Sequence, residues 1–232
     1  MNPSSGRRGA LQRLTAIAAL AILTGACAKV RMPTEPAPLE VTWPSSPEAA
    51  LRGLEQSWAV RDTVEYRRLF TDDFQFVFAA LDTAGNRWRT TPWGRQQELQ
   101  AWAHMVGGGD ENQPPLRWVT ILLDRSFVKL PDPRPGHGDL RYHGAIRTQI
   151  ALDLGDSWGQ QTSVSGKGLF YFVRGDSAAI PDDVRAELTV PDSTVWFIDR
   201  WEDETFTSVG ARPARVNPSR ITTLGAVKAR YR

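Results

Sequence analysis

The stretch PEAALRGLEQSWAVRDTVEYRRLFTDDFQFVF, residues 47–78, decides the fold. It opens with a helix signal, because either of the two serines before Pro47 can cap the first turn and a proline is well tolerated there. Leu51, Leu54 and Trp58 then recur at helical spacing, so one side of the helix is apolar. These residues predict an amphipathic helix that packs against a core.

The second half of the stretch predicts another helix and then a strand. Asp62 and Glu65 form a second helix start, and the apolar residues that follow can turn toward the same core. In FQFVFAA a phenylalanine recurs at every second position, with a β-branched valine between two of them, which is the alternation of a strand. These phenylalanines are Phe74, Phe76 and Phe78. We therefore expect helix, helix and strand in this order.

Beyond residue 78 the sequence predicts one more helix and then strands. TPWGRQQELQAWAHMV continues the helical pattern until three glycines, Gly107–Gly109, end it. Four long segments with apolar residues follow, namely 116–130, 140–154, 163–174 and 194–202. In the second segment apolar and polar residues alternate, which indicates an antiparallel strand with one buried side. Because strands and helices do not alternate along the chain, the predicted class is α+β.

Three parts of the sequence resemble the nuclear transport factor 2-like superfamily, which includes the SnoaL-like domains. They are residues 47–78, WGRQQELQAW from Trp93 and TVWFIDRWED from Thr194, and the resemblance covers about two-thirds of the chain. It implies a cone-shaped fold in which three helices from the N-terminal half pack in a curved, mostly antiparallel sheet. Domains of this fold usually have a pocket at the wide end of the cone. The fold by itself specifies no function.

The N-terminal segment LTAIAALAILTGACAKV, residues 14–30, is apolar but too short to cross a membrane, which takes about 20 residues. Three arginines and no acid precede it, as is typical of a secretory signal peptide. LTGAC, which ends at Cys27, resembles the lipobox of bacterial lipoproteins. We therefore predict a lipoprotein signal peptide in residues 1–26 and a Cys27 that carries diacylglycerol and a further acyl group such as palmitate. Cleavage by an ordinary signal peptidase, with a free thiol at Cys27, is the alternative.

Removal of residues 1–26 changes the charge balance and defines the predicted domains. The chain has 28 Lys and Arg against 26 Asp and Glu, and the signal peptide holds three of the arginines and no acid, which leaves 25 against 26. A nearly neutral chain gives no electrostatic reason to expect nucleic-acid binding. Residues 27–45 predict a Pro-rich tether, 46–206 the folded domain and 207–232 a basic C-terminal tail. The expected location is the bacterial cell envelope outside the cytoplasm, on a membrane facing the periplasm or at the cell surface.

The residues expected in the pocket give little support for catalysis. Isomerases of this superfamily place a carboxylate base on the strand after the two helices, where this chain has phenylalanines. Asp124 is the most plausible hidden acid, and its alternative is a sheet-edge carboxylate paired with Arg125 or Arg200. If the domain is an enzyme, Asp124 acts with Tyr66 or His143 in proton transfer. No metal or cofactor is expected, since the histidines lack metal-ligand spacing.

Aromatic residues on the predicted elements favour an apolar pocket instead. The predicted lining is Trp58, Tyr66, Phe78, Trp102, Trp118 and Trp196. We expect a membrane-anchored lipoprotein whose non-catalytic cone domain binds an apolar small molecule or a partner protein, with a homodimer as a further option. The alternative is a SnoaL-like isomerase, dehydratase or hydrolase acting on a hydrophobic small molecule. The basic tail is interpreted as a solvated extension, a docked terminal element or a contact with anionic lipid headgroups.

Overall fold

The first two helices begin at the residues that the sequence predicts. This computed structural model describes residues 42–83, 90–109, 113–205 and 223–232. Ser46 caps the first helix by accepting a hydrogen bond from the Ala49 amide at 3.1 Å, and a proline occupies the first turn. The helix ends at Arg61, whose φ of 57° is left-handed. Asp62 then caps the second helix by accepting from two backbone amides of its first turn.

The predicted helices and strands occur in the predicted order, and shorter elements that were not predicted lie between them and after the last strand. The helices are α1 Pro47–Val60, α2 Thr63–Arg68, α3 Ala80–Thr83, α4 Arg95–Val106, α5 Asp182–Glu187 and α6 Leu224–Lys228. The strands are β1 Phe70–Val77, β2 Trp93–Gly94, β3 Leu116–Leu123, β4 Val128–Leu130, β5 His143–Asp156, β6 Gln161–Arg174 and β7 Trp196–Asp203. Short 3₁₀ turns lie at Asp192–Thr194 and Ala229–Tyr231.

The described strands form one curved mixed sheet. Their order is β2-β1-β7-β6-β5-β3, and β4 also pairs with β5. β1 and β7 are parallel, whereas the other pairs are antiparallel. The central hairpin of β5 and β6 is 14 residues long in each strand. The predicted α+β class and the curved, mostly antiparallel sheet are confirmed.

The main core lies between α1, α4 and the side of the sheet that these helices contact. The buried residues of β5 alternate as predicted, and Ile146, Ile150 and Leu152 all point into this core. A second apolar cluster, which includes Val184 of α5 and Phe197 of β7, is separate from the main core. Both clusters contain residues of the sheet, so apolar packing fixes its position in the domain.

Two predicted strand boundaries are wrong. The segment 116–130 contains two strands, because the chain turns at Asp124, whose carboxylate accepts a hydrogen bond from the Ser126 amide at 2.8 Å. β5 begins later than predicted, at His143, because a turn held by the Asp139 carbonyl comes before it. In both places an aspartate in a turn determines where a strand ends or begins.

The C-terminus belongs to the folded domain, which corrects the predicted domain end at residue 206. α6 and the turn after it bury Leu224, Val227 and Tyr231 in the main core. The predicted basic tail is therefore not a solvated extension over the part that the structure describes. Residues 207–222 lie outside the described residues.

The predicted signal peptide, Cys27 and most of the predicted tether also lie outside the described residues. Within the parts of the chain that are described, none of the helices has both the length and the apolar character needed to cross a membrane.

Candidate functional site

Aromatic rings fill the space between the helices and the sheet. Trp58 and Trp102 stack with ring centroids 4.7 Å apart, and Tyr66 lies 4.9 Å from Trp102. All three are at most 2% exposed. Phe78 is also buried and meets the ring of Trp93 edge-on at 4.9 Å. These four predicted pocket residues, Trp58, Tyr66, Phe78 and Trp102, therefore belong to the close-packed core.

Trp118 and Asp124 face away from the main core. Trp118 is 41% exposed and covers a glycine of β5. Asp124 is exposed at the turn after β3, where its amide donates to the Gln149 carbonyl at 3.1 Å. His143 lies six residues before Gln149, about 20 Å along a strand, and Tyr66 is buried in the core. The structure thus keeps these three described residues, Asp124, Tyr66 and His143, apart.

A groove of about 380 Å³ opens where α1, β5 and β7 begin, beside β4. Its apolar lining, which defines what we call the groove, is Pro47, Leu130, Pro131, Leu140, Ile146 and Trp196. Of the predicted pocket residues, Trp196 lies here. Leu140 is 64% exposed, so the groove offers apolar surface to solvent. A concave apolar site of this size is typical of small-molecule binding.

Three polar residues, Glu48, Lys129 and His143, also line the groove, together with Gly144 and Ala145 of β5. Glu48 and Lys129 form an ion pair in which the lysine side chain is 73% exposed, so solvent screens it strongly. Burial acts against the charge of Glu48 and is the largest single effect, but the hydrogen bonds from Lys129, the backbone and Ser46, with the charge of Lys129, together outweigh it and lower the pKa of that carboxyl. Burial and the neighbouring His137, whose ring centroid is 4.5 Å away, lower the pKa of His143. The imidazole of His143 is therefore neutral at neutral pH.

A buried network holds the loop that precedes β5. The Nη2 atom of Arg134 donates to Asp132 at 2.6 Å and to Asp199 at 2.7 Å, and its guanidinium lies 4.5 Å from the ring centroid of Tyr171. Burial raises the pKa of Asp199, whereas the hydrogen bonds of Arg134 overcome burial and lower the pKa of Asp132. This network fixes the loop that carries Pro131 into the groove wall.

Other parts of the surface are weaker candidates. An open depression of about 750 Å³ beside α4 is lined by Asp72, Arg95, Gln96, Leu99 and Gln100. It is open, and four of its five lining residues are polar or charged, so the more apolar and more enclosed groove is better suited to holding a molecule out of water. Within the described ranges, no group of three or more His, Cys, Asp or Glu residues is placed to hold a metal ion.

A buried polar cluster lies in the main core, and sequence reasoning missed it. Oε1 of Glu98 accepts hydrogen bonds from the Tyr66 hydroxyl and from the Lys228 ammonium. Lys228 is 2% exposed and lies over the rings of Trp201 and Phe76. Burial, with the charge of Glu98, raises the pKa of Tyr66 well above its ordinary value. Burial lowers the pKa of Lys228, although Glu98 opposes that effect.

Helical spacing is the signal that could have found Glu98. It lies four residues before Trp102, and this spacing places both side chains on the buried side of α4. Lys228 has no comparable signal, because α6 has five residues and is too short to show a period.

Several solved structures are similar to this chain. One is a nuclear transport factor 2-like superfamily protein from Salmonella enterica, with a TM-score of 0.45, 13% identity, and coverage of 69% of this chain and 89% of that chain. Another is a nuclear transport factor 2-like protein of unknown function in nutrient uptake from Rhodospirillum rubrum, with a TM-score of 0.42, 11% identity, and coverage of 68% and 96%. A candidate scytalone dehydratase from Novosphingobium aromaticivorans has a TM-score of 0.43, 11% identity, and coverage of 75% and 92%.

No protein-family model and no curated protein matches the sequence. The similarity to the solved structures concerns the arrangement of helices and strands. The order of elements in this chain is the one that its sequence resemblance to the nuclear transport factor 2-like superfamily implies.

Proposed function

We propose that this domain is a non-catalytic binding module for an apolar small molecule, held on a bacterial membrane outside the cytoplasm by lipid at Cys27. The observation that carries the proposal is the groove, whose volume of about 380 Å³ is lined mainly by aliphatic and proline side chains. It lies within the range of about 300–1,000 Å³ that small-molecule sites occupy. Burial of apolar ligand surface there supplies the binding free energy.

The polar residues of the groove suit orientation of a ligand better than proton transfer. Glu48 is engaged by Lys129, and its lowered pKa makes it a weak base. His143 is neutral but has no carboxylate hydrogen-bonded to its ring among the described residues that would set a catalytic tautomer. The catalytic set considered from the sequence, Asp124 with Tyr66 or His143, is spread over separate parts of the domain.

Leu140 provides the sharpest test of the groove. Its side chain is already 64% exposed, so Leu140→Ser removes apolar groove surface with little effect on folding. We expect the affinity for an uncharged apolar dye such as Nile red to fall about five- to tenfold. The matched control is Leu122→Ser, because Leu122 is 59% exposed on β3 and does not line the groove. Equal dye binding by wild type and Leu140→Ser would contradict the proposal.

The anchor is tested separately. Intact mass of the membrane-extracted protein should show a chain that starts at Cys27 and carries acyl groups, since two or more chains hold a protein stably on a membrane. Cys27→Ser should move the protein to the soluble fraction. An unmodified N-terminus at another residue would show that the protein is not a lipoprotein, and it would leave the dye-binding result unaffected.

A further inference from the structure

The main core contains a second candidate site in addition to the groove. In it, the ammonium group of Lys228 lies over two aromatic rings. The Nζ atom of Lys228 is 3.7 Å from the ring centroid of Trp201 and 4.0 Å from that of Phe76. It also donates to Oε1 of Glu98, which in turn accepts from the Tyr66 hydroxyl. Aromatic faces combined with a carboxylate form a standard environment for binding an organic cation.

The walls of this site and its occupant come from different parts of the chain. Tyr66 lies on α2, Phe76 on β1, Glu98 on α4 and Trp201 on β7, all of which are positioned by contacts among α1, α4 and the sheet. The occupant, Lys228, comes from α6. We call these four wall residues the receptor. The C-terminal segment, residues 223–232, supplies the ammonium group that they surround.

The C-terminal segment is attached to the receptor by buried apolar side chains and by polar contacts. The Thr223 hydroxyl donates to the Asp82 carboxylate, and the Gly225 amide donates to Oδ2 of Asp203 at 2.8 Å. Nδ1 of His104 lies 2.9 Å from the backbone oxygen of Tyr231. These contacts join both ends of the segment to other parts of the domain, and the lysine between them is directed inward.

The receptor retains hydrogen-bonding capacity that Lys228 does not use. Oε2 of Glu98 is buried and has no hydrogen-bond partner among the described residues. A primary ammonium has three N–H donors, and a free one is not restricted in direction by attachment to a helix. A free alkylammonium can therefore satisfy both carboxylate oxygens while it rests on the same two rings.

We propose that Tyr66, Phe76, Glu98 and Trp201 form a binding site for a primary alkylammonium group, and that Lys228 occupies it as an internal ligand. A small molecule that carries such a group competes with the C-terminal segment for the site. The residues of this site and those of the groove do not overlap, so the proposal holds or fails independently of the proposed function.

The test replaces the internal ligand with a free one. In the full chain, Lys228→Ala removes the ammonium and three methylene groups, and propylammonium has the size of the missing part. We expect Lys228→Ala to lower Tm, and propylammonium chloride at tens of millimolar to raise the Tm of this variant by about 3–5 °C more than that of wild type. Lys228→Met, which fills the site with an apolar chain, should not respond.

Two further controls show what a rise in Tm with propylammonium means. 1-Propanol, which has the same chain without the charge, should not restore Tm. The double variant Glu98→Gln/Lys228→Ala should lose the response to propylammonium, because the carboxylate is gone. Equal stabilisation of wild type, Lys228→Ala and Lys228→Met by propylammonium would overturn the proposal, since a general salt effect would then explain it.

Wild-type protein gives a second readout that does not depend on a foldable alanine variant. If free propylammonium displaces Lys228, amide hydrogen exchange in residues 223–232 should increase at least threefold, while exchange in β6 stays unchanged. Equal exchange with and without propylammonium, at concentrations up to 100 mM or so, would show that the lysine is a fixed part of the core and would overturn the proposal.

Discussion

At the scale of single residues, the carboxylate of Glu98 neutralises the positive charge of Lys228 in the main core. Its carboxylate is 1% exposed and compensates a lysine that is 2% exposed. Removal of one partner of such a pair leaves the other charge buried and uncompensated, which costs about 3–5 kcal/mol. Glu98→Ala should therefore lower the free energy of unfolding by about this amount in urea titrations.

The control for this prediction is the double variant Glu98→Ala/Lys228→Met, which removes both charges and should be more stable than Glu98→Ala alone. A surface comparison is Asp139→Asn, because Asp139 pairs with Arg141 in solvent and its loss should not be measurable. If the double variant is as unstable as Glu98→Ala, the cost comes from lost packing and not from the charge of Lys228.

His143 should make stability depend on pH. Burial and His137 lower its folded pKa below 6.5, and Asp132 and Asp199 oppose this while Arg134 reinforces it. The unfolded imidazole then binds protons more readily than the folded one. Its contribution to stability is full above pH 6.5 and is lost as pH falls from 6.5 toward the lowered folded pKa.

The measurement is the change in Tm between pH 7.5 and pH 5. It should be larger for wild type than for His143→Gln, because the variant cannot take up the proton. His137→Gln removes a neighbouring positive charge, so NMR titration should find a higher pKa for His143 in that variant. An equal change in Tm for wild type and His143→Gln would contradict the prediction.

At the scale of elements, side chains of α1 and of Arg61, at which α1 ends, protect the free edge of β3. Glu55 accepts a hydrogen bond from the Leu123 amide at 2.6 Å, and Arg61 donates to the Leu116 carbonyl at 3.2 Å. Arg52 donates to the Leu123 carbonyl at 3.4 Å. An uncovered strand edge can pair with another chain, so these contacts reduce the risk of aggregation.

Glu55→Ala should expose this edge. The Leu123 amide loses its acceptor, which costs about 1–2 kcal/mol, and unfolding in urea measures the loss. The variant should also aggregate faster on heating, as followed by light scattering. Gln56→Ala is the matched control, since Gln56 is the next residue of α1 and is exposed. Equal stability of the two variants would show that water accepts the hydrogen bond of the Leu123 amide as well as Glu55 does.

The elements also show which features a sequence can predict. β1 and β5 were predictable because their apolar residues alternate over several positions, and α1 because its cap and its apolar spacing agree. The burial of Lys228 was not predictable, because it depends on a partner 130 residues away and on a helix of five residues. The groove was not predicted either, because its residues are far apart in the sequence. α1, β4, β5 and β7 each contribute only a few of them.

At the scale of the whole molecule, the last residues of the chain complete the core. Deletion of residues 223–232 removes Leu224, Val227 and Tyr231 from the main core and leaves Glu98 without its cation. Three buried apolar side chains at about 2 kcal/mol each predict a fall in Tm of more than 10 °C, measured by calorimetry. A short extension added after Arg232, which is exposed, should change Tm little. A stable truncated domain would contradict this account.

The position of Lys228 also has a consequence for the timing of biosynthesis. A growing polypeptide leaves the ribosome from its N-terminus, so Glu98 emerges long before the lysine that neutralises it. Until Lys228 has been synthesised, burial of Glu98 would leave its carboxylate without a counterion, so the core cannot reach its final free energy. The parallel contact of β1 with β7 must wait in the same way, because more than 100 residues separate the two strands. The core can therefore close only after residues 223–232 have been synthesised.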